Sequence, residues 1–175
     1  MARRLTRGMV QVYTGSGKGK TTAAFGLALR ASGAGLKVYI QQFMKKGIFS
    51  EVKAIGNIKR IKIEQCGNGC LVRGGPKPDD HRCAMAGMLR AMKVIGSGIY
   101  DVVILDEINV ALDKGLLNER DVIAMLRGRP RHVEIVMTGR GCPPGIVRIA
   151  DLVTEMKMVK HPYYMAVAAR PGIEH

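Results

Sequence analysis

The stretch Thr14–Thr22, TGSGKGKTT, decides the fold of this chain, because it joins an apolar run to a helical pattern. The preceding run, Met9–Tyr13, is short and rich in β-branched residues, which predicts a buried strand. The following stretch, Thr21–Ser32, places alanine and leucine at helical spacing, and Gly33 can end that helix. A glycine-rich turn between a strand and a helix exposes backbone N–H groups at a helix N-terminus, where the dipole also favours an anion. The stretch therefore predicts a P-loop that binds a nucleotide.

Two side chains of this stretch strengthen the predicted anion site. Lys20 supplies a point charge for the outer phosphates, and the Thr21 hydroxyl is placed to coordinate Mg²⁺. The general P-loop template, G-x-x-x-x-G-K-[ST], has glycine at the position that Thr14 occupies here. Gly15 and Gly17 follow closely and can supply the flexibility instead. We therefore interpret the stretch as a P-loop with threonine as its first residue.

The composition limits the possible classes of protein. With 175 residues, 47% of them hydrophobic, the chain is predicted to form a single domain over residues 1–175 with a substantial core. It contains no run of about 18 apolar residues, so no membrane span is expected. Its basic start, MARRLTRG, lacks the apolar segment of a signal peptide. Four cysteines beside a P-loop favour reduced thiols in a cytoplasmic protein.

The net charge of +14 favours a polyanionic partner, which includes nucleic acid, a nucleoside triphosphate or another anionic substrate. Nucleic acid is the less favoured of these, because the chain has no tryptophan and its basic residues are dispersed. The charge alone does not identify the partner.

Apolar runs alternate with helical patterns along the rest of the chain, which is typical of a mostly parallel sheet flanked by helices. The runs predicted as further strands are Lys37–Gln42, Ile58–Ile63, Val102–Leu105, Val133–Met137 and Ala150–Thr154. The second of these alternates apolar and basic residues, which suits a half-exposed strand near a sheet edge. Asn118 is suited to cap a helix over Glu119–Leu126. We expect one doubly wound α/β domain.

A further helix is predicted to begin at Asp79 and Asp80 and to end near Gly96. Its large apolar side chains are expected to face inward; they are Met85, Met88, Leu89, Met92 and Ile95. Most of the 11 methionines are likewise expected to lie in the core.

Polar groups follow three of the predicted strands, at the sheet edge where open α/β folds bind ligands. One is the P-loop, and another is Asp106-Glu107, which comes directly after the apolar strand VVIL. An acid in that position resembles a Walker B element, whose carboxylate holds Mg²⁺ directly or through water. The third is Thr138-Gly139-Arg140, in which Arg140 can contact phosphate oxygens.

These residues alone leave the reaction open. A P-loop with tandem acids suits an ATPase or a kinase, including an ATPase module of a nucleic-acid machine in which Glu107 activates water. It equally suits an enzyme that uses ATP as the donor of a group other than phosphate, or a nucleotide-binding module without catalysis.

Five segments in order resemble one family; they are TGSGKGKTTAAFGLALRASG, QQFMKKG, VVILDEIN, TGRGCPP and ADLVTEMKMVKHPYY. The chain is similar over Gly8 to about Ile173 to the P-loop ATP:corrinoid adenosyltransferases, which have a recombinase-like sheet. Threonine at the first P-loop position is also typical of that family. The resemblance implies that ATP transfers its 5′-deoxyadenosyl group to Co(I) of a reduced corrinoid, in adenosylcobalamin biosynthesis or salvage. It also implies that ATP lies in the P-loop in reversed orientation, with triphosphate as the leaving group.

The resemblance assigns roles to individual positions. The residues that would wrap the triphosphate are Gly15, Ser16, Gly17, Lys18, Gly19, Lys20 and Thr21, with Thr22 as a further contact. Thr21 and Glu107 would coordinate Mg²⁺, with Asp106 in support, and Arg140 would help neutralise the leaving triphosphate. Lys20, Glu107 and Arg140 are thus the predicted catalytic residues, although the nucleophile is cobalt itself. A homodimer and an electron donor that reduces Co(II) are also implied.

Two features differ from the family pattern. Only about eight residues precede the first strand, so the N-terminal segment that covers the partner subunit's nucleotide is expected to be short or missing. The loop after the third strand has Gly69–Val72 where the family often has aromatic residues near a GF-x-W motif. There, Cys70, Leu71 or Val72 would have to exclude the lower cobalt ligand by bulk. The corrin is expected over the P-loop, between the loops Phe43–Phe49 and Cys66–Pro78.

Overall fold

The chain forms a six-stranded, all-parallel sheet covered by helices, as a computed structural model shows for residues 4–47, 49–67, 75–165 and 168–173. The strands are β1 (Val10–Thr14), β2 (Val38–Phe43), β3 (Ile61–Cys66), β4 (Val102–Asp106), β5 (Glu134–Thr138) and β6 (Leu152–Glu155). The helices are α1 (Lys20–Gly33), α2 (Ser50–Gly56), α3 (Pro78–Ser97), α4 (Ile108–Asp113), α5 (Glu119–Arg127) and α6 (Pro144–Ile149), followed by a 3-10 turn, Pro162–Met165. The predicted α/β fold is confirmed.

The strand order is β3-β2-β4-β5-β1-β6, so the strand of the P-loop and the strand of the tandem acids are not neighbours. β5 lies between them and is hydrogen-bonded to both, with Val10 opposite Ile135 and Leu105 opposite Met137. β3 lies at one sheet edge, as its alternating sequence predicted, and β6 lies at the other. The carboxyl ends of β1, β5 and β4 therefore stand side by side.

Two hydrophobic clusters fill the layers on either side of the sheet. One contains buried residues of α1 and Ile55 of α2, which pack on Ile40 and Ile104. The other contains residues of α3, α4, α5 and α6, which pack on Tyr39 and Leu105. The strands β2 and β4 are buried along their whole length, as expected for central strands of a parallel sheet.

The predicted orientation of α3 is wrong for three of its five apolar residues. Met88 and Ile95 are buried, but Met85, Leu89 and Met92 are exposed. Small residues instead face the sheet: a Cβ built on Gly87 would lie 3.0 Å from the Phe43 ring. The close approach of the helix to the sheet selects small side chains for the inner face. The prediction that most methionines are core residues fails for the same reason at Met85 and Met92.

Three short helices, α2, α4 and α6, were not predicted. Each has only six or seven residues, which is less than two turns and too short for a hydrophobic period to be distinctive. The strands and α1, α3 and α5 lie where they were predicted, with bounds that differ by a few residues. For β3 the strand begins at Ile61 rather than Ile58. Asn118 caps α5 by accepting a hydrogen bond from the Arg120 N–H.

Candidate active site

The P-loop runs from β1 into α1, and its conformation depends on glycine at three points. Gly15 and Gly19 have φ angles of 95° and 113°, in the left-handed region that side chains disfavour. Gly17 is needed for close approach, because a Cβ there would lie 2.7 Å from the Met156 carbonyl oxygen. The Gly17 N–H donates to that carbonyl at 2.6 Å. The segment after β6 therefore lies directly against the P-loop.

Lys20 is the first residue of α1, and its side chain turns back along the P-loop. Its Nζ donates to the backbone carbonyls of Gly15, at 2.7 Å, and Gly17, at 2.6 Å. Burial lowers the pKa of Lys20, and the charge of Arg140 lowers it further, whereas Glu107 raises it. The ammonium group is thus fixed at the floor of the loop with a second cation nearby, which suits a polyanionic ligand.

Asp106, the last residue of β4, is fully buried and accepts four hydrogen bonds. Its Oδ1 accepts from the hydroxyls of Thr21, at 2.8 Å, and Thr138, at 2.7 Å. Its Oδ2 accepts from the Gln42 amide and the Lys45 ammonium, each at 2.9 Å. A carboxylate has about four lone-pair sites, so Asp106 is saturated in this structure. It connects the ends of β2, β4 and β5 to the start of α1.

Glu107 differs from its neighbour because its carboxylate lines the cavity and, among the described residues, accepts no hydrogen bond. Its backbone has a φ of 63°, in the left-handed region, and its N–H donates to the Thr138 hydroxyl at 3.0 Å. Burial raises the pKa of Glu107, as does the charge of Asp106, while Lys45, Lys20 and Arg140 lower it. A half-buried carboxylate that accepts no hydrogen bond from the described residues is available to a ligand.

The loop after β5 carries Arg140, which is exposed and lines the same cavity. Side-chain hydrogen bonds help to hold this loop. Asn109 donates through Nδ2 to the Gly139 carbonyl at 3.2 Å, and the Thr14 hydroxyl accepts from the Cys142 N–H at 3.4 Å. The threonine that departs from the P-loop template therefore joins the P-loop to the loop of Arg140.

The cavity has a volume of about 970 Å³. The P-loop from Gly17 to Thr22 forms part of its lining, together with Glu107 and Arg140. An apolar cleft between α1 and α2 extends from it; its lining includes Phe25, Leu29, Ala54 and Ile58. The volume lies at the upper end of the range for small-molecule sites.

The structure brings most of the predicted site residues to this cavity. Those that line it are Gly17, Lys18, Gly19, Lys20, Thr21, Thr22, Glu107 and Arg140. Gly15 instead lies against Met156, and Ser16 is exposed outside the lining. Asp106 lies beneath the cavity and reaches it through Thr21. The roles of all these residues stay predictions.

Sequence reasoning assigned no role to four residues of the site. They are Gln42, Lys45, Asn109 and Thr138, whose side chains hold Asp106 and the two loops. Lys45 and Gln42 are part of QQFMKKG, a segment that was noted only because it resembles the family. The signal that could have identified Lys45 as a site residue is its position shortly after an apolar strand. The predicted ligand-displacing residues, Cys70, Leu71 and Val72, lie outside the described residues.

No group of three or more histidine, cysteine or acidic side chains suited to a metal occurs in the described part of the chain. Cys66, Cys83 and Cys142 form no disulfide bond there. Within the same residues, no helix is both long and apolar enough to cross a membrane.

Comparison with known proteins gives one family. The family model of ATP:corrinoid adenosyltransferase BtuR/CobO/CobP matches residues 6–175. A corrinoid adenosyltransferase from Pseudomonas aeruginosa is 35% identical over 170 residues, which cover 96% of this chain and 84% of that protein. The corrinoid adenosyltransferase CobA from Salmonella typhimurium is 34% identical, over 97% of this chain and 86% of its own length. A corrinoid adenosyltransferase from Escherichia coli is 32% identical with the same coverage of both chains.

Proposed function

Because the chain belongs to the BtuR/CobO/CobP family of ATP:corrinoid adenosyltransferases, we propose that its P-loop cavity holds ATP with the ribose 5′-carbon turned toward a reduced corrinoid. The enzyme is an ATP-dependent corrinoid adenosyltransferase, which places it in adenosylcobalamin biosynthesis or salvage. The observation that supports our assignment of the site is the meeting of Lys20, Arg140 and a Glu107 carboxylate that accepts no hydrogen bond from the described residues, all at one cavity. The alternative, an ATPase of a nucleic-acid machine, gains no support from the family.

The reaction requires no protein nucleophile. The electron pair of Co(I) forms the bond to the 5′-carbon, the bond between that carbon and the triphosphate oxygen breaks, and triphosphate leaves with the electron pair. The protein therefore acts by positioning two substrates and by stabilising charge on the leaving group. Lys20 and Arg140 are the cations that would contact the triphosphate, with the backbone N–H groups at the start of α1.

The residues at the cavity fit a magnesium ion. The Thr21 hydroxyl donates its proton to Asp106, so its lone pairs remain for a cation, and the Glu107 carboxylate is a second oxygen donor. Hard oxygen ligands of this kind, together with phosphate oxygens, are those that Mg²⁺ prefers. We propose that Thr21 and Glu107 hold the ion and that Asp106 supports them. Bound there, Mg²⁺ would help neutralise the triphosphate.

We further propose the remaining partners. The corrin would lie over the P-loop, beside the loop of residues 44–47, and a donor that reduces Co(II) would supply its Co(I) form. A reducing cytoplasm suits both Co(I) and the thiols of Cys66, Cys83 and Cys142. We also propose that the chain acts as a homodimer and forms one domain over residues 1–175.

Product analysis tests the proposal. The protein would be mixed anaerobically with ATP, Mg²⁺ and chemically reduced cobalamin, with absorbance to follow cobalt alkylation and chromatography to identify the phosphate product. A light-sensitive adenosylcorrinoid formed one-for-one with triphosphate would support it. ADP and phosphate formed regardless of corrinoid would overturn it.

Two variants test the assigned roles. Lys20→Ala and Glu107→Ala should abolish transfer while circular dichroism shows an intact fold. Lys59→Ala is the matched control, since Lys59 is exposed just before β3, at the opposite end of the sheet. Transfer at the wild-type rate in either site variant would refute its role.

A further inference from the structure

Lys45 lines the cavity and forms an ion pair with the buried Asp106, and the conformation of the chain places it there. The Nζ···Oδ2 distance is 2.9 Å, with Asp106 fully buried and the Lys45 side chain 23% exposed. Met44, the residue just before Lys45, has a φ of 58°, and Glu107 is the other non-glycine residue with positive φ among those that the structure describes. Such strained residues persist where the surroundings fix them, often at functional sites.

The backbone of Lys45 is also closely packed. A Cβ at Gly67 would lie 2.6 Å from the Lys45 backbone nitrogen, so the chain after β3 approaches the lysine closely. The Lys45 Nζ lies 6.0 Å from the centroid of the Phe49 ring. Burial alone would lower the pKa of Lys45, but the charge and hydrogen bond of Asp106 outweigh it and the pKa is raised. The ammonium form is therefore the stable partner of Asp106.

The two adjacent acids consequently differ in how available their carboxylates are to a metal ion. Each carboxylate oxygen of Asp106 already accepts two hydrogen bonds, and one of the four donors is the positively charged Lys45 ammonium group. The Glu107 carboxylate lines the cavity and, within the described residues, has no hydrogen-bond donor. Lys45 is near enough to Glu107 for its charge to act on that carboxylate as well. Glu51 of α2 also lines the cavity. Of the two adjacent acids at the end of β4, a cation that enters the cavity meets one available carboxylate, Glu107, while the charge of the buried Asp106 is already compensated by Lys45.

We infer that Lys45 is a positioning residue that keeps Asp106 from coordinating the metal, so that of the two adjacent acids only Glu107 serves as an anionic ligand. This inference rests on the proposed function, because it concerns the metal of that site. Its consequence is a site with low affinity for the free ion, filled by metal that arrives on ATP and leaves with triphosphate. Without Lys45, Asp106 would become a second anion for the metal.

The test measures binding of Mn²⁺ alone, by electron paramagnetic resonance, to the full chain without nucleotide. Lys45→Met should bind Mn²⁺ about tenfold more tightly than wild type, because a positive charge near the ion is removed. Lys45→Arg keeps the charge and should stay within about threefold of wild type. The double variant Asp106→Asn with Lys45→Met should also return to within about threefold, since the pair is removed as a unit.

Two outcomes would overturn the inference. One is unchanged or weaker Mn²⁺ binding by Lys45→Met. The other is Mn²⁺ affinity of the double variant more than about tenfold below that of wild type, which would make Asp106 a metal ligand in the wild-type protein. If Lys45→Met does not fold, Lys45→Gln removes the charge while keeping a donor to Asp106 and carries the same expectation. Adenosyl transfer by the wild-type preparation separates the two claims. Mn²⁺ binding as expected without any adenosylcorrinoid would refute the proposed function and leave standing only the effect of Lys45 on Asp106 as a metal ligand.

Discussion

The Thr138 hydroxyl is the most informative single group to remove, because it connects the two acids. It donates to Asp106 Oδ1 at 2.7 Å and accepts the Glu107 N–H at 3.0 Å, in a fully buried position. Thr138→Val keeps the shape of the side chain and removes both hydrogen bonds. Thr138→Ser keeps both bonds and removes only a methyl group.

The magnitude follows from these contacts. A hydrogen bond to a charged group contributes about 1.5–3 kcal/mol, and a buried donor left without an acceptor costs about 1–3 kcal/mol. Thr138→Val should therefore reduce the free energy of unfolding by about 3–5 kcal/mol, which for a chain of this size lowers Tm by roughly 10 °C. Thr138→Ser should lose about 1 kcal/mol, the contribution of one buried methyl group.

The catalytic effect should be separable from the loss of stability. Glu107 holds its left-handed backbone partly through the bond to Thr138, so its carboxylate should lose its fixed direction in Thr138→Val. We expect that variant to need at least about tenfold more Mg²⁺ for half-maximal transfer, measured well below its Tm, since 1.4 kcal/mol corresponds to a factor of ten. Thr138→Ser should match wild type in this assay.

Either of two results would refute the reasoning: a Thr138→Val protein as stable as Thr138→Ser, or one with the Mg²⁺ dependence of wild type. The first would mean that the two hydrogen bonds contribute nothing net. The second would mean that Glu107 is fixed by other contacts, or is not a metal ligand.

Three further predictions concern stability and ATP binding. Burial raises the pKa of Glu107, so between the unfolded and folded pKa values the folded state holds more protons than the unfolded state. The stability of the protein therefore falls as pH rises through the folded pKa. Glu107→Gln should raise Tm by a few degrees at pH 7, measured by differential scanning calorimetry, and this gain should vanish below about pH 4. Gly17→Ala should weaken ATP binding in calorimetric titration, because the new Cβ would lie 2.7 Å from a backbone oxygen. The matched change Gly96→Ala has open space around its Cβ. It should leave ATP binding unchanged and stabilise α3 by about 0.5–1 kcal/mol. Met88→Ala should cost about 2–5 kcal/mol in urea unfolding and Met85→Ala less than about 0.5; equal costs would contradict the orientation of α3.

The parts of the site that are built from residues adjacent in the sequence were predictable from the sequence. The P-loop is a continuous segment whose glycines, Lys20 and Thr21 have fixed relative positions, so spacing alone identifies it. The acids of β4 were found because an apolar strand ends in them. In both cases the chemistry and the element that carries it are adjacent in the chain.

The contacts between strands were not predictable in the same way. Whether Thr138 lies beside Asp106 depends on β5 being placed between β1 and β4, and nothing within VEIVMT specifies that order. The ion pair of Lys45 likewise needs β2 next to β4 and a left-handed turn at Met44. The orientation of α3 was missed because large apolar residues lie on both of its faces, and only the closeness of the helix to Phe43 decides which face is inner.

The position of β1 also has a consequence for how the protein folds. Both neighbours of β1 in the sheet, β5 and β6, come from residues 134–155, although β1 itself is the first strand of the chain. During synthesis the P-loop sequence emerges early, but its strand has no partners until most of the chain has followed. Pairings so distant in sequence form slowly, because a long loop must close before they are stabilised. Nucleotide binding should therefore be among the last properties that a nascent or refolding chain acquires, after the β2–β3–β4 half of the sheet has formed.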